Sequence, residues 1–128
     1  MSDAAEPSEV FHEIGAEGLQ KLVAAFYRQI PTDDLLGPMY PPEDLAGAEE
    51  RLFEFLMFRC GGSSHYLETR GHPRLRMRHA PFTIGPAQRD RWVQLMRNAL
   101  NTSNLPSPAA DVLMRFLEQT ATFLVNAP

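Results

Sequence analysis

The segment GHPRLRMRHAPF (71–82) sets three arginines, two histidines and two prolines in twelve residues of a chain whose formal net charge is −4. Neutral imidazole is the commonest protein ligand for metals. His79 stands near the end of this segment, with Leu75 one turn before it and Phe82 just beyond. Cys60, His65, His72 and His79 form a Cys-x4-His-x6-His-x6-His series, wider than the short ligand spacings of the usual zinc signatures. Two readings of His79 remain. It is either a satisfied histidine in an apolar core or a single axial ligand to haem iron, which needs a pocket but no ligand series.

The polar members of such a pocket would come from Tyr27, Tyr40 and Trp92. Each has an apolar body and one polar tip that requires a partner when buried. Tyr27 and Trp92 fall on the apolar stripes of two helical stretches, and Tyr40 lies in the proline-rich corner PMYPPED. Arg70, Arg74, Arg76 and Arg78 supply a third of the 12 basic residues. A local cationic patch on an acidic chain suits a small anionic group, while the overall charge argues against nucleic acid as partner.

Positioning these groups falls to helices. Prolines cluster at 31–42, 73–86 and 106–108, and the stretches between them have a helical period. Leu19, Leu22, Val23, Phe26, Tyr27 and Ile30 follow the i, i+3, i+4 rule, as do Leu45, Ala48, Leu52, Phe55 and Leu56. Trp92, Val93, Met96, Ala99 and Leu100 repeat it, as do Leu113, Phe116, Leu117, Thr120 and Leu124. Asp33 or Asp34 is placed to cap a turn, Asp44 to cap the helix beginning at LAGAEERL, and Gly61-Gly62 to end it. Pro73 suits the first turn of a short helix that Pro81 stops almost at once. The pattern is all-α: four longer helices and one very short helix carrying His79.

The length of 128 residues fits one domain. The polar, acidic start MSDAAEPSEV reads as a flexible segment over residues 1–10, with the folded domain over 11–128. That start is unlike a signal peptide, no apolar run reaches membrane-span length, and the single cysteine cannot form an internal disulfide. These features predict a cytoplasmic protein with no membrane partner.

The strings AAFYRQI (24–30), YPPEDLAGAEERLFEFL (40–56), GHPRLRMRHAPF (71–82) and RDRW (89–92) resemble the truncated haemoglobins, and among them group II. The resemblance runs from about residue 11 to the C-terminus. It implies a two-over-two α-helical sandwich enclosing haem b. By that resemblance His79 is the proximal iron ligand, and Tyr27, Tyr40 and Trp92 are the distal hydrogen-bonding residues. Phe26, Ala48, Leu52 and Phe55 then line the distal pocket, and Arg51, Tyr66, Leu75, Arg78, Phe82 and Met96 contact the haem or its propionates. Ala48 falls where larger globins place a distal histidine; a methyl group cannot donate, so stabilisation must come from the indole and phenols. One departure is LMFRCGG (56–62), where group II members often carry an aromatic pair in place of Arg59 and Cys60.

The resemblance implies reversible binding of O2, CO or NO by a monomer or homodimer. Several cooperating donors would slow release, which suits redox chemistry or sensing better than bulk oxygen transport. The rival within the family is a peroxidase or nitric oxide dioxygenase. It would draw on an external reductase, because the chain has no glycine fingerprint for a flavin or nicotinamide. A haem-free helical interaction module is the rival from another class.

Overall fold

The structure, a computed structural model, describes residues 7–61, 68, 71 and 74–128. Five helices are seen among them: α1 (Pro7–Arg28), α2 (Leu45–Arg59), α3 (Leu75–His79), α4 (Pro86–Ser103) and α5 (Ala109–Phe123). Two 3-10 turns, Gly37–Met39 and Pro42–Asp44, lie between α1 and α2. No strand occurs among the described residues, so the all-α expectation holds. Helix α1 starts within the segment read as flexible: it begins at Pro7, and Val10 is buried in the core.

Helix α1 is two helices in line, broken at Gly15, whose φ of 73° and ψ of 171° only glycine adopts without strain. The break separates a short leading helix, which buries Val10 and Ile14, from the longer stretch that buries Leu19, Leu22, Val23 and Phe26. At the C-terminal end of α2, Gly61 takes φ 88° and terminates the helix. Pro73 and Gly62, expected to start and stop helices, lie outside the described residues.

Helix α1 packs on α2, α4 and α5, and α4 packs on α5. Helix α2 makes no comparable packing with α4 or α5. The two helix pairs are therefore joined along α1 and parted elsewhere, and the parting is the cavity described below. Burial along α2 reflects this: Phe55 and Leu56 are buried, whereas Leu45, Ala48 and Leu52 are half-buried.

The connection after α1 is fixed by Asp33. Its Oδ2 accepts the N–H groups of Leu36 (2.7 Å) and Leu35 (3.1 Å), and Oδ1 takes Arg91 Nη1 of α4 at 2.7 Å. Asp44, by contrast, occupies the N-cap position of α2 without a side-chain capping bond, because its carboxylate is taken by Arg51 at 2.6 Å. Burial works to raise the Asp33 carboxyl, but the N–H of Leu36, the Arg91 guanidinium and the N–H of Leu35 outweigh it and hold it below the usual range. A depressed carboxyl contributes stability above its unfolded pKa and loses it as pH falls through the folded one. Asp33→Asn should therefore lower Tm at pH 7 by about 4 °C. The difference from wild type should shrink as pH falls below about 4; thermal melts across that range check it.

Candidate functional site

A cavity of about 380 Å³ lies where α2 stands off α4 and α5. Each element contributes one face of its stripe. Tyr27 comes from α1, Tyr40 from the proline corner, and Ala48, Arg51, Leu52 and Phe55 from α2. Leu75, Arg78 and His79 come from α3, followed by Phe82; Gln88, Arg89 and Trp92 come from α4; Leu117, Thr120 and Ala121 come from α5. Of the residues expected at the site, Phe26 and Met96 are not on its wall. Both are fully buried, and periodicity had placed them on the correct face without fixing their depth. Tyr66 lies outside the described residues, as do His65, His72 and Arg70.

Phe26 instead braces the polar rings from behind. Its ring centroid lies 5.0 Å from Tyr27, edge-on at 86°, and 5.2 Å from Trp92. Tyr27 and Tyr40 meet edge-on at 5.7 Å. Burial raises the Tyr27 phenol well above the ordinary range, and the neighbouring Tyr40 raises it further. Burial also raises Tyr40, while hydrogen-bonding contact with Trp92 and with Tyr27 works the other way. Tyr40 is therefore the member of the set in hydrogen-bonding contact with both of the others, and the indole N–H of Trp92 can only donate in its contact.

His79 Nδ1 lies 2.8 Å from the Leu75 carbonyl oxygen. A carbonyl only accepts, so Nδ1 carries the proton and the Nε2 lone pair is left for a ligand. The helix that achieves this is one and a half turns long, with Arg74 at φ 44° leading into it.

Arg51 reaches back along α2 to Asp44, with Nη2–Oδ2 at 2.6 Å and Nη1–Oδ1 at 3.4 Å. Gly47 makes room for the pair: a Cβ there would meet Asp44 Oδ1 at 2.8 Å and Arg51 Nη1 at 3.1 Å. The pairing holds the Asp44 carboxyl below its usual range. Arg89, which also lines the cavity, bonds Thr122 Oγ1 through Nε and Asp90 through Nη1. Sequence reasoning missed Arg89, although RDRW was in view, and it missed Ile84 and Gln88. It had put Thr120 and Leu124 on an apolar stripe without assigning that stripe to the site.

At the far end of α2, Arg59 lies over the Phe116 ring at 5.1 Å, and Phe116 stacks on Phe55 at 6.3 Å. The departure from the aromatic pair is thus accommodated by a cation stacked on a ring supplied by α5. Cys60 is fully buried, and burial pushes its thiol up to about 11, so it stays protonated.

The donor set fits an iron porphyrin. One oriented imidazole is available to the metal, apolar side chains such as Leu52, Phe55, Leu75 and Leu117 suit a flat macrocycle, and Arg51, Arg78 and Arg89 suit its propionates.

Comparison with known proteins agrees. The family model described as bacterial-like globin matches residues 9–126. Group 2 truncated hemoglobin YjbI of Bacillus subtilis is 36% identical over 116 residues, covering 91% of this chain and 87% of the relative. The crystal structure of a thermostable hemoglobin from Thermobifida fusca is 45% identical with a TM-score of 0.88, covering 94% of this chain and 98% of that one. A truncated oxygen-avid haemoglobin from Bacillus subtilis is 35% identical with a TM-score of 0.85, covering 95% and 100%. The chain belongs to the bacterial-like globin family, as a group II truncated haemoglobin of two-over-two fold, and its function is that of a haem protein binding small gas ligands.

Proposed function

We propose that this chain is a haem b globin of the cytoplasm in which His79 is the proximal ligand and Tyr27, Tyr40 and Trp92 form the distal hydrogen-bonding set. The observation that carries the reading is the His79 Nδ1–Leu75 O contact of 2.8 Å. An imidazole whose second nitrogen is engaged by a carbonyl is fixed in tautomer and orientation before it meets a metal. Haem, when bound, supplies an iron that takes O2, CO or NO.

The chain's own residues set how long such a ligand stays. Burial disfavours the Tyr27 phenolate, so its O–H stays available as a donor. Trp92, whose indole N–H can only donate, and Tyr40 complete the set on the ligand side of the cavity. Donors already in place stabilise negative charge on ligand oxygens without reorganising. Each net hydrogen bond is worth about 1–1.5 kcal/mol, roughly tenfold in escape rate. The oxygen-avid Bacillus subtilis relative supports slow release here. Slow release suits redox chemistry or sensing, with electrons from an external reductase, better than bulk delivery. Arg51 and Arg78 are the arginines we assign to the propionates, since both line the cavity.

Three experiments test this. His79→Gly should lose haem, or bind it weakly and regain its spectrum with added imidazole; an unchanged axial-ligand signature would refute the proximal assignment. Trp92→Phe keeps a ring and removes the donor, so stopped-flow oxygen dissociation should accelerate about tenfold. Tyr40→Phe should do at least as much, since the Tyr40 hydroxyl is in hydrogen-bonding contact with both Tyr27 and Trp92. An off-rate unchanged in either variant would remove that residue from the distal set. Gly47→Ala should disrupt the Asp44–Arg51 pair sterically and speed haem dissociation roughly two- to fivefold. Haem transfer to an apoglobin acceptor measures that rate.

A further inference from the structure

We infer that Asn126, beyond the end of α5, is a positioning residue for the proximal helix and sets the pose of His79; this rests on the reading of His79 as the iron ligand. Helix α3 has five residues, far below the length at which a helix holds itself in water. Among the described elements it has none of the close helix packing that joins α1, α2, α4 and α5. One side-chain contact joins it to a helix, Arg76 over the Phe123 ring of α5 at 4.8 Å, and the segment that follows His79 needs a further tie.

Asn126 makes the connections. Its Oδ1 accepts the Ile84 N–H at 2.8 Å, and its own N–H donates to Ile84 O at 2.8 Å. Its Nδ2 donates to Phe82 O at 2.9 Å and reaches His79 O at 3.4 Å. The next residue adds Ala127 N–H to Ile84 O at 3.1 Å. One side chain therefore ties three positions of the 79–84 segment. Its own backbone follows directly on α5, whose Leu113, Leu117 and Ala121 are buried in the core. His79 O also accepts the Phe82 N–H at 2.9 Å, so the turn leaving the proximal histidine and the tail share one acceptor. The route runs from the core helix through an amide to the backbone of the ligand residue. No residue of the distal set takes part in it.

The amide is needed in both of its roles, as acceptor toward Ile84 and as donor toward Phe82 and His79. Asn126→Ala removes both. Asn126→Asp keeps the acceptor and sets a carboxylate oxygen against two carbonyl oxygens, which is repulsive. Resonance Raman spectra of the ferrous, ligand-free holoprotein read the pose of His79 through the iron–histidine stretching line. We expect that line to shift and broaden in Asn126→Ala, and to move at least as far in Asn126→Asp. Haem loss should rise roughly fivefold in both, the equivalent of about 1 kcal/mol of hydrogen bonding. Asn98→Ala removes an amide contact to Gln29 at the α1–α4 contact and should leave the line where it is in wild type. A line unmoved in both Asn126 variants overturns the proposal, even with faster haem loss, because a merely stabilising contact would change the rate alone. If His79→Gly keeps the wild-type line, the proximal reading itself fails, whatever the Asn126 variants do.

Discussion

A carbonyl oxygen cannot donate a hydrogen bond, and that rule decides the His79 side of the cavity. Because Leu75 O sits 2.8 Å from His79 Nδ1, the imidazole proton is assigned and the Nε2 lone pair is presented. The contact is an i to i−4 pair, so it requires a helix at that point, however short. Arg74, in left-handed conformation, leads into the helix, and Ala80 and Pro81 follow directly after His79. A helix so short offers little packing surface, Leu75 against the core and Arg76 over the Phe123 ring, and its location also depends on what holds its ends.

The side of the cavity that holds Tyr27, Tyr40 and Trp92 is organised by the opposite means. Tyr27, Tyr40 and Trp92 come from three separate elements, and the ring of Phe26 fixes the spacing of two of them. Burial keeps the phenols neutral and makes their hydrogen bonds strong, since water does not compete. The His79 side thus depends on backbone geometry and the side of Tyr27, Tyr40 and Trp92 on side-chain packing. The cavity exists because α1 packs on α2, α4 and α5, while α2 stands off the packed pair of α4 and α5.

Much of this was legible in the sequence where it is local. The stripes through Tyr27 and Trp92 follow the helical period, Asp33 sits where a turn cap is needed, and Gly61 stops α2. Periodicity reports a face and not a depth: the resemblance placed Phe26 at the pocket and Met96 at the haem, and both lie fully buried off the cavity wall. Asp44 had the right position for a cap, but Arg51, two turns along the same helix, competes for its carboxylate. No pattern could have indicated Asn126, because its partners lie more than forty residues earlier and it bears no charge or metal chemistry. Arg89 and Thr120 were visible as residues but not as neighbours, since only the assembled fold brings α4 and α5 to one wall.

The fork that Arg91 makes with Asp33 and Asp34 has unequal arms. The Asp33 side chain is 8% exposed, whereas that of Asp34 is 90% exposed, although both contacts are short at 2.7 and 2.9 Å. Dissolved ions screen charges that water reaches and act far less on those it does not. Raising the ionic strength therefore strips the outer arm and leaves the inner one, which also carries the N–H groups of Leu35 and Leu36. Arg91 is the residue before Trp92, and Asp33 governs the chain that leads to Tyr40. The spacing between indole and phenol is tied to the arm that salt loosens less, so the geometry of that side of the cavity responds weakly to the ionic composition of its surroundings.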